Sequence, residues 1–177
     1  KAKPGQLNLA SAGLGSGTHF AGEMLKQAAG IDVVHVPYKG IPEATNDLIA
    51  GRVQLFMAPL ASASPLVRDG RMRALGVTSP KRVSLFPDLP TIAESGLKGF
   101  RWDSWGGIYA PAKTPRAIVS KLNRAMVAAL AQPEVQKTMR NLGAEPAPPT
   151  PAELDTFVIQ DLAMVAKLAK AAGIQPE

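Results

Sequence analysis

Apolar and polar positions along this 177-residue chain change their period at short intervals. Residues 6–12, QLNLASA, alternate in part and predict a strand. In GSGTHFAGEMLKQAAG, which follows, Phe20, Met24, Leu25 and Ala28 recur at helical spacing and Gly30 is placed to end the helix. IDVVHVPYKG is rich in β-branched residues and closes on a turn signal, so it predicts a second strand. IPEATNDLIAG carries Pro42 near a helix start and Gly51 just past its end. RVQLFMAPL, bounded by Pro59, predicts a buried strand; ASPLVRDGR predicts a short helix and MRALGVTS a further strand. Residues 5–79 therefore read β-α-β-α-β-α-β, the pattern of an α/β fold with a mostly parallel sheet covered by helices on both faces.

Beyond residue 79 the pattern changes. Residues 80–100 hold three prolines and two glycines and predict a long connection with a short helix at Thr91–Ser95. WDSWGGIYAP contains a predicted strand. TPRAIVSKLNRAMVAALAQ predicts a helix with Thr114 as N-cap, Pro115 at its first position, and Ile118, Leu122, Met126 and Leu130 on one face. PEVQKTMRNLG predicts a shorter helix and EPAPPTP a hinge or linker. The closing helix begins at a Thr150–Glu153 capping box. These helices and one strand need something to bury their apolar faces on. The first sheet is one partner; a second sheet outside this chain is the other.

Composition is globular, with 46% hydrophobic and 19% charged residues. No apolar run is long enough for a transmembrane helix. No signal peptide is visible and residue 1 is Lys, so the chain reads as a processed product or a fragment. Cysteine is absent, which removes disulfides, thiolate metal sites and a Cys nucleophile. The net charge is +6, but the excess is spread: residues 1–105 hold 12 basic and 8 acidic side chains, residues 106–177 hold 8 and 6. Aromatics, at 5%, do not interleave with a basic stripe, which argues against nucleic acid.

The stretch SAGLGSGTHFAGEM, Ser11–Met24, joins the first strand to the first helix. A loop there leaves main-chain N–H groups free at the helix start, where they and the helix dipole favour an anion. Glycines allow close approach, and Ser16 and Thr18 add hydroxyls. A carboxylate or a phosphate would suit such a loop; a tight turn with no ligand is the plain alternative. Gly13 and Gly15 begin a dinucleotide fingerprint, but Thr18 stands where its third glycine belongs, and VHVPYKG ends the second strand without an acid. The loop has no Lys, so it is not a P-loop. No cofactor is expected. His19 and Glu23 share a helix face but lack a third metal ligand. Ser16 with His19 invites a hydrolase reading, yet no spacing marks an orienting carboxylate among Asp32, Asp47 and Asp103. Tyr38 and Lys39 end the second strand at the same sheet edge as the loop. Trp102 and Trp105 stand where the tail begins, suited to lining a cleft or to packing a hinge.

The chain resembles the extracytoplasmic substrate-binding receptors of tripartite tricarboxylate transporters, the Bug receptors. The likeness runs through ASAGLGSGTHFAGEMLKQAAG, VVHVPYKGIPEATNDLIAGRVQLF, GRMRALGVTSPKR, FPDLPTIAESGLKGF, SWGGIYAPAKTP, LGAEPAPPTPAEL and KLAKAAGI. It implies the two-lobed fold of periplasmic binding proteins, closing on a small organic acid that is passed to a membrane transporter. It also implies that family members extend further at the N-terminus. On that template residues 1–104 are domain two, a ligand-binding lobe, and residues 105–177 are a mainly helical segment returning to domain one. By position, Ser11, Gly13, Ser16, Gly17, Thr18 and His19 match the ligand loop, with Tyr38 and Lys39 at the neighbouring edge. Many members carry Asp after the third strand; here FMAPLAS has Ala58, which counts against an amine-bearing ligand. The resemblance thus implies a periplasmic, non-enzymatic receptor for a di- or tricarboxylate or related acid. A ligand-responsive sensor domain and a Ser16/His19 hydrolase are the alternatives. Exposed tail faces predict self-association, as a homodimer through the tail helices.

Overall fold

The computed structural model describes residues 4–174. The outermost residues of both expected domains, 1–3 and 175–177, lie outside the described residues. The chain divides into two compact units. One ends at Ser104 and resumes at Val165; the other is Trp105–Met164.

The first unit is built on a parallel sheet. Its strands are β1 (Asn8–Ser11), β2 (Val34–Pro37) and β3 (Leu55–Phe56), in the order β2-β1-β3. Leu9 pairs with His35 and Ser11 with Pro37 on one side; Ala10 pairs with Phe56 on the other. Helix α1 (Gly17–Ala29) links β1 to β2, α2 (Ile41–Ile49) links β2 to β3, and α3 (Leu60–Arg68) follows β3.

Strand alternation sorts the sheet into two faces. Ala10, Val36, Tyr38 and Phe56 pack with Ala44 and Leu48 of α2 and with Val53. Leu9 lies on the other face, against α1: a Cβ on Gly22 would come within 2.5 Å of the Leu9 side chain. Gly22 is there because α1 rides that close to the sheet. Gly30, in the left-handed conformation at φ 57°, ends α1 and donates to the carbonyls of Lys26 and Gln27, as its sequence position predicts.

Three expectations for this unit change. MRALGVTS does not form a fourth strand; Val77 makes a single parallel bridge to Thr91. The bridge cannot lengthen into a ladder because its partner segment opens on Pro90, which has no N–H to give. Thr91–Ser95 is a turn rather than a helix. Its capping box forms, with Thr91 N–H donating to Glu94 (2.8 Å) and Glu94 N–H to the Thr91 hydroxyl (3.0 Å). Gly96 then turns to φ 112° after one turn, too few residues to repay helix nucleation. α3 starts earlier than predicted, so Pro65 lies inside the helix instead of opening it.

The second unit contains α4 (Arg116–Leu130), α5 (Pro133–Asn141) and most of α6 (Pro151–Ala172). WDSWGGIYAP forms no strand, because no strand among the described residues pairs with it. At the start of α4 it is Pro115, not Thr114, that occupies the cap position, with extended ψ of 137° and no side-chain cap bond. The proline disfavours helical geometry in Thr114 before it. The Thr150–Glu153 capping box forms as predicted: Thr150 N–H and Oγ donate to Glu153 at 2.8 and 2.7 Å. No residue of Trp105–Met164 is buried. Of the predicted α4 stripe, Ile118 and Leu122 are about half exposed, and Met126 and Leu130 are half-buried.

Candidate functional site

The order β2-β1-β3 makes the chain leave β1 in one direction and return past it to β3. In open α/β sheets a crevice forms at the carboxyl ends of the strands where the order reverses. Here that crevice edge carries the β1–α1 loop, Ala12–Ser16, and the segment after β3 that contains Ala58. Tyr38 and Lys39 stand at the end of β2, on the same edge.

The loop is held by its own side chains. Ser11, fully buried, donates to the Gly13 carbonyl (3.1 Å) and accepts from Gly13 N–H (3.2 Å). Ser16 donates to the same carbonyl at 2.7 Å and accepts from His19 N–H at 3.2 Å, capping α1. Thr18 Oγ1 accepts from Ala12 N–H at 2.8 Å and shares a hydrogen bond with Ser16 at 2.9 Å. These hydroxyls fix the turn and leave the main chain to do any binding. Among the described residues, the N–H groups of Leu14, Gly17 and Thr18 have no hydrogen-bond partner. Gly13 and Gly15 adopt φ of 129° and 69°. A Cβ at Gly13 would also meet the Tyr38 carbonyl at 3.2 Å, so this turn needs its glycine twice over.

Two histidines lie under the loop. His19 Nδ1 accepts from Gly15 N–H at 3.1 Å, which leaves the ring proton of the neutral imidazole on Nε2. Its ring stacks on His35 with centroids 3.9 Å apart and planes within 7°. His35 Nε2 shares a 2.7 Å hydrogen bond with Ser11 Oγ. Burial lowers the pKa of His19, against the attraction of Glu23. Burial, reinforced by His19, lowers His35 to about 4. Glu23 is itself paired with Lys26 at 2.7 Å. Both rings are therefore neutral at pH 7.

The predicted site residues divide on this geometry. Ser11, Gly13, Ser16, Gly17, Thr18 and His19 come together in one loop and first turn. Tyr38 joins through its backbone alone: its N–H donates to the Ser11 carbonyl at 3.0 Å. Its hydroxyl donates to Asp47 at 2.8 Å, and its ring packs with the α2 core. Asp47 also accepts from Arg52. The Tyr38 side chain thus runs back along α2, away from the edge. Lys39 is exposed. Sequence reading left out His35. The signal was available: in VHVP, alternation puts His35 on the α1 face, beside Ser11 and under His19.

The geometry does not suit nucleophilic catalysis. Ser16 meets the His19 backbone, not its imidazole. The Ser–His side-chain pair that does form, Ser11–His35, is sealed from solvent at the serine, and among the described residues no carboxylate is bonded to the histidine. No group of three metal-binding side chains occurs among the described residues.

Comparison with known proteins adds a family. A model described as "Tripartite tricarboxylate transporter family receptor" matches residues 1–174. The UPF0065 protein in the tcbD-tcbE intergenic region of Pseudomonas sp. (strain P51) is 42% identical over 152 residues, 85% of this chain and 45% of that protein. The structure of R. palustris Rpa4515 with adipate is 37% identical, with a TM-score of 0.90 over 99% of this chain and 59% of that one. The periplasmic binding protein BugD is also 37% identical, with a TM-score of 0.82 over 99% of this chain and 60% of that one. The chain thus spans about half the length of that Pseudomonas relative, and the fold is that of periplasmic solute-binding proteins.

Proposed function

Because this chain belongs to the tripartite tricarboxylate transporter receptor family, we propose that it is an extracytoplasmic receptor. It captures a small organic carboxylate in the periplasm and delivers it to the membrane subunits of a tripartite transporter. The family is one of solute receptors rather than enzymes. On this reading residues 1–104 are domain two and residues 105–177 return to domain one. The break between compact units at Ser104 supports the start of that segment, while the chain from Val165 onward groups with the first unit instead.

The observation that carries the reading is the rigid glycine loop with free N–H groups at the start of α1. Gly17 and Thr18 N–H, aided by the helix dipole, face a carboxylate; Leu14 N–H adds a donor from the loop. Gly13 and Gly15 keep the path to the main chain clear. Ser11, Ser16 and His19 hold these donors in place, and Lys39 adds a positive charge at the edge. An adipate-bound relative at 37% identity supports an aliphatic dicarboxylate over a phosphate. Ala58 on the segment after β3 offers no charge to an amine, which favours a plain carboxylic acid over an amino acid.

Thermal unfolding against a panel of organic acids, with adipate among them, tests the reading. An acid at about 100 times its dissociation constant adds ~2.7 kcal/mol of stability. The expected result is a shift with one or a few acids that is lost in Gly17→Pro, which removes an N–H at the first helical position, where proline fits the backbone and a side chain meets nothing within 4 Å. No shift with any acid overturns the reading.

A further inference from the structure

We propose that His35 is a positioning residue for the β1–α1 loop, fixing Gly13 through Ser11 and Gly15 through His19. The loop takes two left-handed turns, at Gly13 and Gly15, and glycine loses more freedom than any other residue when it is ordered. Ser16 holds the Gly13 carbonyl from the helix side; the holds on the two glycine N–H groups are the Ser11 hydroxyl at Gly13 and the His19 ring at Gly15. Neither is fixed by itself, since a hydroxyl rotates and an imidazole turns about its side-chain bonds.

His35 removes both freedoms. Its Nε2 takes Ser11 Oγ at 2.7 Å, closer than either bond from that oxygen to Gly13. Its ring lies parallel to His19 at 3.9 Å, setting the plane in which Nδ1 meets Gly15 N–H. His35 is in turn on a strand locked to β1 by the Leu9–His35 and Ser11–Pro37 pairs. One strand residue thus ties both glycines to the sheet. The groups facing it are Ser11 from β1 and His19 from α1, with Glu23 and Lys26 of α1 acting at longer range and with opposite sign. Two charged rings would repel strongly at this distance, and burial disfavours the charged form of each.

The consequence for binding rests on the carboxylate reading of the loop. A loop already ordered pays less on capturing its ligand, so loosening it weakens affinity without removing any ligand contact.

Amide hydrogen exchange on the whole chain tests the arrangement with three variants. His35→Gln keeps a partner for Ser11 but loses the stack. His35→Phe keeps the stack but loses the partner. His35→Ala loses both. Losing one hydrogen-bonded hold opens the amide it protects about tenfold more often. Gly13 exchange should rise in the Phe variant and Gly15 exchange in the Gln variant, with both rising in the Ala variant. The α2 amides, on the other face, report that each variant is folded. Wild-type exchange at Gly13 and Gly15 in the variants that fold overturns the proposal, and so does release of both glycines together in the Gln and Phe variants. Titration with adipate and the other acids of the panel, followed at the Gly17 and Thr18 amides, separates this from the functional reading. If neither adipate nor any other acid of the panel moves these amides in the wild type, the carboxylate reading loses its support, while the exchange pattern still decides the role of His35. If one of them binds, the Phe and Gln variants should bind it several-fold more weakly with the same pattern of shifted amides.

Discussion

The two units of this chain are written in the same local vocabulary and end in different states. Both have capped helices with an apolar stripe. In the first a core forms: Leu9, Ala10, Ala21, Val33, Ala44, Val53, Phe100 and Leu168 are all buried, and all belong to that unit. Even there α1 buries Thr18, His19, Ala21, Gly22 and Glu23 rather than the predicted stripe of Phe20, Met24, Leu25 and Ala28, because Gly22 is where the helix meets Leu9 of the sheet. In the second no residue is buried, and Ile118, Leu122, Ile159 and Leu162 are about half to two-thirds exposed. Two tryptophans at the boundary show the contrast at close range. Trp102 stacks on Phe20 beside the candidate site, with ring centroids 6.3 Å apart. Trp105, three residues on, meets Phe157 edge-on at 5.1 Å and donates to Asp161 at 3.1 Å, yet is 38% exposed. Periodicity and capping make helices; burial needs a second surface, which the first unit supplies by folding α1 and α2 onto opposite faces of one sheet.

The most forceful test makes one substitution in both units. Leu9 is 2% exposed and Leu122 is 54% exposed. Leu9→Ala should cost about 2–4 kcal/mol, the usual loss for a buried leucine. Leu122→Ala should stay within about 0.5 kcal/mol, as surface changes do. Denaturant titration of both variants measures the two costs. Equal losses would break the comparison, because they would mean that Leu122 is covered in solution, as the expected self-association through the tail helices requires. Glycines give a second pair. A Cβ at Gly22 meets Leu9 at 2.5 Å, whereas one at Gly106 meets nothing within 4 Å. Gly22→Val should destabilise by about 1–3 kcal/mol through overpacking. Gly106→Ala should be neutral or gain up to about 1 kcal/mol from a stiffer unfolded chain. A Gly22→Val variant as stable as the wild type would mean that α1 does not ride so close to the sheet.

Acidification should also separate the units. His35 is lowered to about 4, first by burial and then by His19. A histidine with a depressed folded pKa takes up its proton more readily when unfolded. Its contribution to stability is therefore present in full above about pH 6.5, declines as pH falls from there to about 4, and is constant below. Melting temperature should fall over that window, and the fall should shrink in His35→Gln. An identical pH profile in the variant would remove His35 from the account.

What was legible in the sequence follows from the same physics. The β-α-β-α-β order, the cap at Gly30 and the Thr150–Glu153 box depend on a few adjacent residues, and the chain states them directly. The loop was legible as a cluster of glycine and hydroxyl residues. That the hydroxyls would be spent inside the turn was not, because it depends on which atoms lie within 3 Å of one another. His35 was passed over for a related reason: its role comes from sheet register, which pairs residues 26 positions apart. The lost strands show the limit from the other side. MRALGVTS and WDSWGGIYAP have strand composition, but a strand exists only where a neighbour can pair with it, and Pro90 in one case and the absence of a partner in the other decide against it.

The smallest expected effect lies at two helix caps of the same chemistry. Ser16 caps α1 by accepting from His19 N–H, and Thr150 caps α6 by accepting from Glu153 N–H at 3.3 Å. Losing a cap costs about 0.5–2 kcal/mol. Ser16→Ala should fall in the upper half of that range, because Ser16 also holds Gly13 and Thr18. Thr150→Ala should fall in the lower half, because water can replace its bonds at an exposed turn. The pH dependence separates them further. Thr150 N–H and Oγ hold the Glu153 pKa below its ordinary value. A depressed carboxyl stabilises above its unfolded pKa and loses that contribution as pH falls through the folded one. The Thr150→Ala defect should therefore shrink at low pH, once Glu153 is protonated and its half of the box is already lost. The Ser16→Ala defect involves no carboxylate and should persist there. A Thr150→Ala defect independent of pH would mean that the bond from Thr150 Oγ to the Glu153 carboxylate adds nothing, and that the cap on Glu153 N–H carries the whole loss.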